Sequence, residues 1–286
     1  MKRALKIVGA ALLLVAAVLL VRAVTAESRQ RSASAAAPLD GFDLDAALER
    51  LAAAIRLRTV ADAGGGLFDE LYILAADGLP PLARLQRRDF PLGVMFTWKG
   101  TDPTLEPLLL LAHADVVPVD RPEAWTHPPF GGRRVEGFLW GRGALDDKAS
   151  LMAQLEAAAW LIGQGFQPKR TVLFAFGHDE ETTGKGAAAI ADHLEAEGVR
   201  AHLVLDEGGM VTQGVIPGIE RPVAIVGVAE KDAFSVRLTA EDVGGHASMP
   251  PPHTAAGRVG RAVALLEANP WPLEFTPAAE AFMDWL

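Results

Sequence analysis

Between residues 93 and 205, short apolar runs alternate with helical stretches, and that alternation confines the chain to few folds. Gly93–Trp98, Pro107–Ala112, Thr171–Phe176 and Ala201–Leu205 are apolar and of strand length. Lys148–Ile162 and Gly184–Glu197 separate the later runs and read as helices. Strands joined by helices of this length imply crossover units, hence an α/β class with a largely parallel sheet and helices on both faces. Functional groups in such sheets gather beyond the carboxyl ends of the strands.

Flanking segments add boundaries. Leu44, Leu48, Leu51 and Ile55 recur at helical spacing behind Asp43, a suitable N-cap. Gly64 to Gly66 break the pattern before a second apolar helix over Leu67–Ala76. From about Pro222 the character changes. Strand-like runs Val223–Val228 and Ala233–Thr239 lead through a Gly/Pro-rich turn to a helix over Thr254–Ala268. This predicts the start of a smaller α+β unit over 231–286, after a larger domain over 40–230. The Ser/Ala-rich stretch 27–39 reads as a linker.

The N-terminus carries Lys2, Arg3 and Lys6 ahead of an uninterrupted apolar run, Ile7–Val21, with Arg22 behind it. A basic n-region followed by an apolar h-region is an export signature, and Val24-Thr25-Ala26 offers small residues for cleavage after Ala26. The alternative is an uncleaved membrane anchor over 1–26, slightly short of the ~20 residues a span takes. The expected location is outside the cytoplasm, either at a membrane or in a periplasmic space.

A formal net charge of −9 argues against nucleic acid as a partner, because phosphate contacts need clustered Lys and Arg. There are no cysteines. Disulfides are therefore excluded, and any zinc has to be held by His, Asp and Glu.

Four clusters of metal-binding residue types follow predicted strands or open predicted helices. In LLLLAHADVVP, His113 and Asp115 lie just beyond a strand, and their spacing puts both on one side of an extended chain. Asp115 could there orient the His113 ring. In GRGALDDK, Asp146 and Asp147 precede a helix, where an ordinary acidic N-terminus would look the same. In GHDEETTGKG, the consecutive acids Asp179, Glu180 and Glu181 repel one another unless a cation neutralises them. In VLDEGG, Asp206 and Glu207 again follow an apolar run. Each cluster alone has a bland reading; together they place nitrogen and oxygen ligands at the strand ends of one sheet. His127, His178, His193, His202 and His253 have no partner at ligand spacing.

The motifs HADVVP, WTHPPFGG, GRGALDDK, GHDEETTGKG, LDEGG and GGHASMPP occur in this order. They resemble the metallopeptidase family of aminoacylase, bacterial glutamate carboxypeptidase and carboxypeptidase S (peptidase family M20). The likeness runs from about Ala52 to Ala268 and is greatest to the branch of carboxypeptidase S and the N-fatty-acyl-amino-acid hydrolase. It implies a zinc-exopeptidase-type sheet flanked by helices, followed by a dimerisation (lid) domain. It further implies two zinc ions, with cobalt or manganese as alternatives. His113 and Asp206 would bind one ion, Glu181 the other, and Asp146 would bridge them. In some relatives the last acid aligns with Glu207 instead. Glu180 would be the general base, Asp115 would orient His113, and His246 would help stabilise the oxyanion. A cis peptide bond after Asp146 is implied as well.

The resemblance implies hydrolysis of an amide bond in short peptides or N-acyl amino acids, by a homodimer when full length. Deacylation of a biosynthetic intermediate, or a membrane-tethered binding remnant without activity, are the alternatives. The family takes a last histidine ligand from a C-terminal segment that has no counterpart before Leu286. A C-terminally truncated chain with weak metal binding is the corresponding expectation.

Overall fold

The N-terminal basic and apolar residues form helix α1 (Lys2–Thr25) in the computed structural model. The structure describes residues 2–25, 39–61, 66–230, 235–246, 248–249 and 251–285. Among them no helix is long and apolar enough to cross a membrane. Ala26, the expected cleavage position, and all of the linker except Leu39 lie outside the described residues.

The chain divides into two compact units, 37–209 and 1–36 with 210–286. In the first, the Asp43 side chain accepts the Ala46 N–H at 2.9 Å and caps helix α2 (Leu44–Arg56), as the spacing predicts. Helix α3 (Gly66–Gly78) follows; Gly64 and Gly65 of the predicted break lie outside the described residues. Strands β1 (Gln86–Phe90) and β2 (Gly93–Trp98) form a hairpin, and β3 (Leu108–His113) comes next. A small hairpin, β4 (Arg133–Val135) and β5 (Phe138–Trp140), precedes helix α4 (Lys148–Gly163). Strand β6 (Val172–Gly177), helix α5 (Lys185–Ala196) and strand β7 (Leu203–Leu205) complete the unit.

The five-stranded sheet has the order β1-β2-β6-β3-β7. Only β6, β3 and β7 run parallel; β1 and β2 are antiparallel to their neighbours. The sheet is thus mixed rather than largely parallel. A tight hairpin reverses the chain, and it adds an antiparallel half that crossover counting does not foresee.

Alternation along each strand feeds two cores. Phe174 and Phe176 of β6, with Val94 and Trp98 of β2, pack against Leu151, Leu155 and Ala158 of α4 and Phe68 and Leu71 of α3. Leu173 and Ala175, with Met95, face Ile190 and Leu194 of α5 on the other side. Helices therefore cover both faces, as expected. Between α2 and α4, one edge of the Arg50 guanidinium meets Glu156, with Nε donating to Oε1 and Nη2 donating to Oε2 at 2.7 Å. Such a bidentate pair fixes direction as well as distance.

In the second unit, strand β8 (Met210–Thr212) pairs antiparallel with β9 (Val223–Ile225). Helix α6 (Ala255–Ala268), capped by the Thr254 hydroxyl, and helix α7 (Pro277–Trp285) follow. The strand expected over Ala233–Thr239 is not seen: 233 and 234 lie outside the described residues, and 235–239 carry no strand. Among the described residues from 210 onward none is buried, so this part has no core of its own.

Candidate metal centre

Strand β3 delivers the first residues of the site. His113 is its last residue and is buried at 2 % exposure; Asp115, two positions on, is fully buried. The His113 ring divides its two nitrogens. Nδ1 lies 3.0 Å from the Asp115 backbone carbonyl and 3.4 Å from its carboxylate, so its N–H donates toward Asp115. That leaves Nε2 facing carboxylates: Asp146 at 2.9 Å, Glu207 at 3.3 Å and Glu180 at 3.9 Å.

Asp115 does more than hold a ring. Its two carboxylate oxygens accept the backbone N–H groups of Glu180 and Glu181, each at 3.1 Å. One buried side chain thereby ties the end of β3 to the loop that follows β6. Asp179, the first acid of the triplet, turns away from this cluster. Its carboxylate accepts the N–H groups of Lys185 and Gly186 and the Thr183 hydroxyl at the start of α5. A Cβ on Gly186 would lie 1.7 Å from the Leu92 carbonyl, so only glycine fits where this turn meets β2. His178 braces the same loop from the other side. Its Nε2 lies 2.9 Å from the Tyr72 hydroxyl, and its ring stacks on Phe68.

Among the described residues, two groups have the spacing to hold a cation. In each, the ligand atoms lie within 4.8 Å of one another: His113, Asp146 and Glu181, and His113, Glu180 and Glu207. Electrostatics point the same way. Burial lowers the proton affinity of His113, but the Asp115 hydrogen bond and the charges of Glu207, Asp115 and Asp147 outweigh it and raise the imidazole from 6.5 to about 10. Burial pushes Glu207 up to about 7, and Asp147, Asp146 and Glu180 add to it against the opposing pull of His113. Glu180 and Glu181 are raised as well, first by burial and then by neighbouring carboxylates. The carboxylates outnumber the single imidazole, and a divalent cation relieves that repulsion. The donor set, imidazole nitrogen and carboxylate oxygen, suits zinc.

Of the remaining predicted residues, Asp206 lines the same cleft but its carboxylate accepts the N–H of Glu207 at 2.9 Å. Among the described residues it joins neither group. His246 belongs to the unit containing 210–286; it is exposed, with Nδ1 2.8 Å from the Ser248 hydroxyl. The peptide bond between Asp146 and Asp147 is cis. Two buried residues, Asp147 and Lys148, support the site although their sequence context reads as an ordinary helix start. Lys148 Nζ donates to the carbonyls of Ala54 at 2.8 Å and Leu57 at 2.6 Å, at the end of α2. Gly143 sits at φ +81°, and a Cβ there would lie 2.8 Å from Val116 Cγ1 and 3.2 Å from the Lys148 stem.

The chain is similar to known proteins over this region. It is 45% identical over 182 residues to N-fatty-acyl-amino acid synthase/hydrolase PM20D1 of Mus musculus, covering 63% of this chain and 36% of that protein. It is 38% identical over 195 residues to carboxypeptidase S of Saccharomyces cerevisiae, covering 64% and 33%. The chain thus spans about a third of the length of these relatives. Among solved structures, human carnosine dipeptidase 1 matches with a TM-score of 0.47 and 20% identity, over 59% of this chain and 41% of that one. The model of peptidase family M20/M25/M40 matches residues 109–282, from within β3 to within α7, and so takes in His113, Asp146, Glu180 and Glu181. Over that span the ordered motifs and the family model coincide, and the chain belongs to peptidase family M20/M25/M40.

Proposed function

We propose that the protein hydrolyses an amide bond in short peptides or N-acyl amino acids with the help of two zinc ions. The observation that carries this reading is the pair of ligand groups sharing His113. His113 would hold one ion together with Glu207, or Asp206 beside it; Glu181 would hold the other, and Asp146 would bridge them. When bound, paired zinc polarises the scissile carbonyl and makes a water nucleophilic near neutral pH.

The chain's own residues do the rest. Glu180 is half exposed at the cleft, and burial raises its carboxyl toward the range where a general base works best. It accepts a proton from the attacking water and returns it to the leaving amine. Asp115 fixes this base through its main chain and His113 through its ring, so both arrive in register. The cleft beside them, about 360 Å³, has apolar walls that include Leu109, Leu111, Ile190 and Leu194, which suit an apolar acyl group or side chain. The relatives are named for peptides and N-acyl amino acids, which supports that substrate class. The basic and apolar N-terminal segment supports export.

The test is amine release from a panel of dipeptides, N-acetyl amino acids and long-chain N-acyl amino acids by the zinc-loaded chain. Release that a chelator abolishes and zinc restores is expected. Zinc-loaded protein that releases amine from none of them contradicts the reading. Release confined to N-acetylated side-chain amines would favour a deacylase instead.

A further inference from the structure

We propose that Asp147 is a positioning residue that fixes the spacing of His113 and Asp146 by gripping the main chain of His113; this rests on the metal-centre reading above. Alternate N–H groups of β3 point to opposite neighbours. Leu108 and Ala114 donate toward β6, to Thr171 and Gly177, so His113 points its N–H toward the β7 side. Strand β7 pairs with β3 from Leu108 only as far as Leu110, opposite Leu205. The sheet therefore supplies no partner for the His113 N–H. Asp147 Oδ2 accepts it at 3.3 Å in place of a ladder bond.

The neighbours of Asp147 extend this grip. Asp146 reaches the Nε2 of the same histidine at 2.9 Å, so consecutive residues hold His113 by its ring and by its backbone. Lys148, fully buried, pins the start of α4 to the last carbonyls of α2. Asp147 itself is 1 % exposed, and its Oδ1 has no hydrogen-bond partner among the described residues. A buried carboxylate with one oxygen unpaired is costly, and stability alone would favour a group without that charge. Holding a ligand's backbone is what this carboxylate does instead.

Asp147→Asn keeps an oxygen at the same place; Asp147→Leu removes it at similar size. Zinc affinity of the full chain is read by competition with a chromophoric chelator. Asp147→Leu is expected to bind zinc about 10- to 100-fold more weakly, the usual effect of losing a residue that orients a ligand. Asp147→Asn is expected to stay within about threefold of the parent. Equal affinity in the parent and Asp147→Leu, or equal loss in both variants, overturns the inference and leaves the metal-centre reading standing. A parent chain that takes up no zinc overturns both. Should Asp147→Leu fail to fold, hydrogen exchange at the His113 amide of the metal-free parent decides: slow exchange is expected, and exchange at the rate of an open amide overturns the proposal.

Discussion

Replacing Glu180 with glutamine is expected to lower amide hydrolysis by about a hundred- to ten-thousand-fold, the usual contribution of a positioned acid–base group. The amide cannot take a proton from water, yet it has the size of the carboxylate it replaces. Main-chain contacts survive, because Asp115 holds residue 180 by its N–H and not by its side chain. Zinc uptake should therefore stay close to the parent's, with the loss falling on kcat. Equal turnover in the two proteins would remove Glu180 from the chemistry. Zinc lost together with turnover would make it a ligand, a role its place beside His113 and Glu207 also permits geometrically.

Zinc is expected to stabilise the chain, and by more as pH rises. In the metal-free protein the His113 imidazole is raised from 6.5 to about 10. The stability that it contributes is full below about 6.5 and is lost as pH climbs through about 10. Glu207 is raised from 4.5 to about 7, so the fold favours its protonated form, and that contribution is lost as pH climbs through about 7. Both signs agree: the metal-free chain weakens between pH 5 and 10. Zinc competes for the same two groups and needs them deprotonated, so its affinity rises over the same interval. At a hundred times Kd the ion adds about 2.7 kcal/mol to stability. Urea midpoints with and without zinc at pH 5.5, 7 and 8.5 should diverge progressively. In His113→Ala, which removes the residue common to both ligand groups, the two curves should coincide. A zinc effect independent of pH, or retained in that variant, contradicts the assignment.

Much of this was legible where the signal is local. Asp43 caps α2 by a bond spanning three residues, and the apolar strands β2, β3 and β6 pack on both faces, so their side chains announce them. Strand β1, Gln86–Phe90, was not legible, because a polar edge strand exposes most of its residues. Nor were the three-residue strands β4 and β5, whose length carries no period. In the site, His113 and the Glu180–Glu181 pair stood out as hard ligands beyond strand ends. Asp179 looked equivalent to them, yet it spends its carboxylate on the start of α5. Asp206 and Glu207 show the sharper limit. After a strand, successive side chains point to opposite sides, and which one meets His113 depends on where the extended segment stops. Glu207 is the one at 3.3 Å. Asp147 and Lys148 read as an exposed helix start, and only burial reveals what they hold.

Anomalous diffraction from zinc-soaked crystals of the full chain tests the paired-cation site most directly. Two peaks about 3.5–4 Å apart are expected, both within ligand distance of the His113, Asp146 and Glu181 cluster. Zinc found only elsewhere on the surface, with this cluster empty at saturating metal, would contradict the account.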